Sequence, residues 1–485
     1  MIELSFKEYL RVFWRQLLIC YLGAIFVASV LWYFYPTNLT CKVCDAYGYW
    51  KSSESFDGIK NSHNFLGTFF YPSFIAFIRY IPNYLRISVE VQAFLVSIVQ
   101  LSVHLLSVTA LGYTTYLLTD NKFITSCTTY LYGLNIFIIA FTNQMLAESI
   151  SISYLLIVVT FFVVIILNPL KYKKLIIVFG LLNGLLLMTR LSFALAAISL
   201  YTICSFIYIY KNHLKLNSFI VITLGLMAFL IPVFFQLWLT PKILSNWAQL
   251  KITVSSLYGV HIYKSVGIVD PNTIHEMVVF GSFDQTMKTF AASCPNPQSL
   301  NNCIRERLTS SPLPVSNFDV FKWYVIKFFA MHDKVFLSPF IYNLFAPERY
   351  IWRTINSLFL SLSILGTIQL LRNVFKNTRK YFVYLVIVFI ILLSLLLPPI
   401  SYVLVEERYG LPFHPFFAIS TSYFVFYFVK IRKTKFSQIR LSVLFLIIGL
   451  FLFIISLKIE SMFGLRLYPE ILPPPEFPKQ GVHYL

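Results

Sequence analysis

An all-α polytopic membrane protein is predicted by three features of this 485-residue chain: its composition, its long apolar runs and the placement of its charges. Hydrophobic residues make up 58% and charged residues 12%, with a mean hydropathy of +0.73, whereas an average soluble domain is about 25% charged. That composition excludes a soluble globular protein. Apolar runs of the roughly 20 residues needed to cross hydrocarbon recur along the chain. The 39 Lys and Arg against 20 Asp and Glu give a net charge of +19, an excess that marks either a nucleic-acid surface or cytoplasmic loops. Its location decides between them.

The first apolar run, 17–35, follows a basic arm. It lacks a small-residue cleavage site and is as long as a full span, so it reads as a retained signal anchor. Further runs follow at 92–117, 123–142, 152–167, 175–190, 192–210, 217–238, 353–371, 381–399, 412–429 and 441–457, which makes about eleven transmembrane helices. With the amino terminus inside, the inner segments are 1–16, 118–122, 168–174, 211–216, 372–380 and 430–440. These hold 18 basic residues and three acidic ones, and so most of the net positive charge. Every short connector agrees in sign, which predicts a cytoplasmic amino terminus and an extracytoplasmic carboxyl terminus. No nucleic-acid partner is needed.

The chain accordingly divides into residues 1–238, with transmembrane helices 1 to 7 and a first outer loop at 36–91; a large extracytoplasmic region, 239–352; transmembrane helices 8 to 11 within 353–457; and a proline-rich extracytoplasmic tail, 458–485. Within the first outer loop, segment 64–82 carries Pro72 and Pro82 and apolar residues on more than one face, the pattern of an interfacial helix. Segment 321–345, with aromatic and basic residues interleaved, reads as interfacial or re-entrant: a full span there would put the basic runs that follow it on the outside.

Cysteine usage points to the same side. Cys20, Cys127 and Cys204 fall inside spans, while Cys41, Cys44, Cys294 and Cys303 fall in outer loops. An even external set suits an oxidising compartment, and Cys41/Cys44 and Cys294/Cys303 are candidate local disulfides whose connectivity stays open. A four-cysteine zinc site is the rival reading, but such sites usually show two CxxC pairs, and eight residues separate Cys294 from Cys303.

Four charged residues from separate connections fall on the predicted outer rim. Asp45 opens DAYGYW, where aromatic neighbours and a glycine favour a partly desolvated, more basic carboxylate; a solvated loop aspartate or a helix cap has the same appearance. Glu148 is the one charge in the short turn NQMLAES. Arg190 ends GLLLMTR between two spans, and Arg408 lies in EERYGLPFHPF with Tyr409 and His414. A guanidinium fork suits phosphate, although arginines at membrane boundaries also snorkel. His104, within a span, reads as a hydrogen-bonded buried histidine.

Taken in order, these motifs resemble the GT-C superfamily of polytopic glycosyltransferases, which take a sugar from a polyprenyl-phosphate carrier on the extracytoplasmic side. The likeness rests on an acidic residue in a long first outer loop (Asp45), the YPSFIAF stretch at 71–77, the acidic second outer loop (Glu148), GLLNGLLLMTR at 180–190 and ERYGLPFHPF at 407–416. Loop 239–352 and the tail match no part of the pattern. The resemblance implies an inverting transfer in which Asp45 is the general base. Arg408 and Arg190, with Tyr409 and His414, bind the donor phosphate, and Glu148 orients the acceptor or helps hold a divalent metal, Mg or Mn, which some members use. No residue is assigned as a metal ligand. Ala46 follows Asp45, a departure from the subgroup with a paired Asp-Glu in that loop. Size and composition resemble bacterial O-antigen-modifying enzymes, including phage-type glucosyltransferases. The implied setting is the bacterial cytoplasmic (inner) membrane with a periplasmic active site, and the implied partners are membrane lipid, a polyprenyl-phosphate-linked sugar donor and a lipid-linked or lipopolysaccharide glycan acceptor. An O-antigen polymerase or ligase, which would rely on loop arginines, and a lipid-carrier flippase or transporter, which would place charges in mid-span, are the competing classes.

Overall fold

The structure, a computed structural model, describes residues 5–34, 45–61, 69–143, 145–190, 193–212, 215–239, 318, 349–374, 412–430 and 435–463. Among these the chain is helical, without strands. Residues 381–399, Arg408, Tyr409, the four outer-loop cysteines, segment 321–345 and the proline-rich tail from 464 onward lie outside the described residues.

The helices are α1 (Phe6–Phe34), α2 (Asp45–Ser52), α3 (Phe56–Asn61), α4 (Phe70–Tyr84), α5 (Val89–Thr119), α6 (Lys122–Gly133), α7 (Ile136–Thr142), α8 (Ala147–Leu167), α9 (Leu175–Thr189), α10 (Ala194–Lys211), α11 (Leu216–Leu239), α12 (Arg349–Val374), α13 (His414–Lys430) and α14 (Lys435–Phe463). Seven described helices are long and apolar enough to cross a membrane, and eight spans result if α6 and α7 count as one. Ten of the eleven apolar runs read from the sequence, all but 381–399, fall on α1, α5 to α6 and α7, α8 to α11, and α12 to α14, so the polytopic all-α class holds. α9 is apolar but only 15 residues long.

The run 123–142 is not one straight helix. α6 and α7 meet at a 49° bend, and the cause is local. Asn135 caps α7, its side-chain oxygen accepting from the backbone N–H groups of Phe137 and Ile138, which diverts the chain from a continuous helix after Gly133. The turn from α5 to α6 is as tight. Asp120 ends α5 in the left-handed region (φ 53°), and Asn121 caps α6 by accepting from Ile124 N.

The described residues group into two compact units. The first comprises α1 to α11, α12 from Phe359, α13, and α14 up to Phe445; the second comprises the remaining parts of α12 and α14. In the first unit, Gly180 and Gly184 on α9 lie against the backbone oxygens of Gly225 and Phe229 on α11, so close that a Cβ at either glycine would overlap them. Small residues four apart let two backbones approach where no hydrophobic driving force separates helix from lipid. Elsewhere α11 presents Ile220, Met227, Ile231 and Phe234 outward, as a lipid-facing helix does. In the second unit, Arg353 is fully buried and its Nε donates to Ser456 Oγ at 2.9 Å, pairing α12 with α14.

Inside the first unit, hydroxyls stitch several of the spans. Ser107 and Tyr132 bond at 2.9 Å, Thr114 and Thr160 at 2.8 Å, and Thr128 donates to Ser422 at 3.0 Å. His104 is buried against Tyr132, with Nε2 3.4 Å from the carbonyl oxygen of Gly133, a packing role of the kind expected for a lone mid-span histidine.

Candidate functional site

The site begins where α8 starts. Glu148 lies in its first turn, where the positive end of the helix dipole favours a carboxylate. The preceding turn is fixed to α5: Gln100 Nε2 donates to Thr142 O at 2.9 Å, and Ser97 Oγ donates to Asn143 Oδ1 at 3.4 Å. Arg190 ends α9, leaving helical geometry at φ −164°. Because α9 follows α8 as its antiparallel neighbour, the beginning of one meets the end of the other. Arg190 Nη1 stands 3.2 Å from Glu148 Oε1, with the glutamate side chain 4% exposed and the arginine 17%. Two residues 42 positions apart thus form an ion pair in which the carboxylate is buried and the guanidinium largely so. A buried charge is tolerated only with such compensation, and removal of one partner strands the other.

A platform from the first loop lies beside this pair. α4 is anchored at several points: Phe69 N, just before the helix, donates to Gln236 Oε1 of α11 at 2.9 Å, the Phe70 ring packs near Tyr154 of α8, and Tyr71 donates to Gln100 Oε1 of α5 at 2.8 Å. Tyr71 is fully buried. Burial first, then the charges of neighbouring Tyr49 and Glu148, push its phenol well above the ordinary tyrosine value, so it is a neutral donor. The opposite face of α4, with the apolar Phe77, Tyr80, Ile81 and Tyr84, is exposed, so the helix expected within 64–82, with apolar residues on more than one face, is present from Phe70 to Tyr84; residues 64–68 lie outside the described residues.

On α4 rests α2, with Asp45 as its first residue. Tyr49, one helical turn after Asp45, stacks edge-on to Tyr71 with ring centroids 4.7 Å apart. The buried Arg79 of α4 holds the far end of α2: Nη1 donates to Trp50 O at 3.0 Å and to Ser53 Oγ at 2.6 Å, Nε donates to Gln92 Oε1 at 3.1 Å, and the guanidinium lies 3.7 Å from the centre of the Trp50 ring.

Of the residues singled out in the sequence, Glu148 and Arg190 therefore meet, and the helix carrying Asp45 is docked one aromatic contact from Glu148's neighbour Tyr71. His414 opens α13 and is buried; Asn135 Nδ2 donates to its Nδ1 at 3.0 Å, and the rings of Phe137, Phe359 and Phe417 surround it. That setting joins α13 to the α6–α7 bend. Arg408 and Tyr409, a few residues earlier, lie outside the described residues, as do Cys41, Cys44, Cys294 and Cys303. Comparison with protein-family models, curated proteins and solved structures finds no match to this chain. The residues that reading the sequence missed are Tyr71, Arg79 and Gln100. One signal was present for Arg79, a single arginine in an otherwise apolar interfacial segment.

Among the described residues no group of three or more His, Cys, Asp or Glu could hold a metal ion. Glu148 is already engaged by a guanidinium, an arrangement that fits a divalent cation poorly.

Proposed function

We propose that this protein is an integral membrane glycosyltransferase that moves a sugar from a polyprenyl-phosphate carrier to an extracytoplasmic glycan of the O-antigen or lipopolysaccharide type. The site would face the periplasm of a bacterial inner membrane, as the basic connectors at the opposite helix ends argue. The observation that carries the reading is the buried Glu148–Arg190 pair beside the docked helix that begins with Asp45. It assembles, from three distant parts of the chain, a candidate base and a fixed guanidinium at one end of a lipid-embedded bundle.

In this reading Asp45 removes the proton of the acceptor hydroxyl as its oxygen attacks the anomeric carbon. The bond from that carbon to the carrier phosphate breaks from the opposite face, giving inversion, and polyprenyl phosphate leaves with the electron pair. Arg190 stabilises the growing phosphate charge; Arg408, a phosphate-binding residue in the sequence reading, lies outside the described residues. Glu148 holds Arg190 in place rather than touching substrate. A cationic group kept rigid by a buried partner loses little freedom when phosphate arrives, so more of the interaction appears as transition-state stabilisation.

The experiment is transfer by the purified protein in nanodiscs, supplied with polyprenyl-phosphate-linked hexoses and lipopolysaccharide. The expected result is release of free polyprenyl phosphate together with a glycan product of inverted anomeric configuration. Absence of release across a panel of hexose donors, with correctly folded protein, refutes the donor class.

A further inference from the structure

We propose that Arg79 is the positioning residue that holds α2, and Asp45 at its start, in place beside the Glu148–Arg190 pair; this deepens the functional reading above and rests on it. α2 has eight residues, and an isolated helix shorter than about 12 residues is marginal in water. Its position must come from contacts. Those contacts converge on one side chain: Arg79, 5% exposed, donates to Trp50 O and Ser53 Oγ on the α2 side and to Gln92 Oε1 on α5, while the plane of its guanidinium covers the Trp50 ring. Gln92 is itself fixed, its Nε2 donating to Ile87 O at 2.8 Å. Arg79 therefore ties α2 to α4 and α5 at once.

Only arginine has the geometry for this. A planar fork can stack on an indole and donate in its own plane to three acceptors, whereas an ammonium is a point charge on a flexible stem. A cation this buried would ordinarily be disfavoured. Burial does lower its basicity, and Glu54 acts in the opposite direction. Three hydrogen bonds and an aromatic face are the compensation found. Tyr49 on Tyr71 is the second fastening, one helical turn from Asp45, so the short helix is held at its middle and at its far end.

The test uses the full-length protein in nanodiscs with Arg79→Lys and the milder Ser53→Ala, which removes one acceptor and keeps the charge. Hydrogen exchange of peptides covering 45–52 should speed up about ten-fold in Arg79→Lys, since one hydrogen bond to a charged group is worth about that factor, and less in Ser53→Ala, while peptides from α8 and α9 stay unchanged. With polyprenyl-phosphate-linked hexose as donor, kcat should fall in the same order with the donor KM little changed. Exchange in 45–52 that is unmoved in both variants overturns the clamp. A loosened α2 with undiminished kcat overturns the positioning role and leaves the transferase reading standing. A wild-type protein that transfers no sugar overturns that reading, and with it the catalytic purpose of the clamp.

Discussion

Between α9 and α11 the chain brings backbone against backbone, through Gly180 and Gly184 facing Gly225 and Phe229, with no charged group in the seam. Around α4 the same unit does the opposite, inserting Arg79, Tyr71 and the Glu148–Arg190 pair into a buried layer and satisfying them with long side chains. A membrane bundle gains close packing from the first arrangement at little cost, because small residues remove nothing that needs a partner. The second gives no comparable packing and is sensitive to the loss of any member. A stabilising role alone accounts for the seam. It does not account for charges buried at one end of the helices, and that difference is why the proposed site is put at the α4 end.

The comparison is broken most sharply at Glu148. Glu148→Gln should destabilise the protein by about 3–5 kcal/mol by leaving Arg190 without its counter-charge. The double variant Glu148→Gln with Arg190→Gln should recover most of that loss, because neither charge is then stranded. Detergent melting curves in a double-mutant cycle read both effects, and purely additive losses would show that the pair is not coupled. Next comes the seam. Gly184→Val forces a branched side chain into the backbone of α11 and should cost about 1–3 kcal/mol by overpacking, with the turnover of the surviving folded fraction unchanged. A smaller effect is expected at the α6–α7 bend, where Asn135→Ala removes a cap and should cost about 1 kcal/mol. Asn135 also donates to His414, so α13 should loosen in hydrogen exchange.

The spans were legible because hydrocarbon imposes a length and a polarity that composition cannot hide. The α6–α7 bend was less so, since Asn135 and Gly133 read as ordinary residues within an apolar run until the cap is seen to bond forward. At the site, the sequence pointed to Glu148 and Arg190 through a shared rim. Their pairing became visible only with α8 and α9 side by side, because no local pattern links positions 42 apart. DAYGYW appeared as a loop with an acidic residue; in the structure it is a helix, and its stability comes from Arg79 and Tyr71, which lie beyond it in the chain. Tertiary support of that kind leaves no trace in local propensity.

The measurement that bears most directly on the whole account is the transfer rate of Asp45→Asn, set beside wild type at equal amounts of folded, membrane-inserted protein. An amide keeps the size of the side chain and cannot accept the acceptor's proton. The account predicts a loss of transfer on the order of 10²- to 10⁴-fold, the usual contribution of a general base, with the melting temperature and the hydrogen exchange of α4 unchanged. Transfer at the wild-type rate from the amide variant would contradict it.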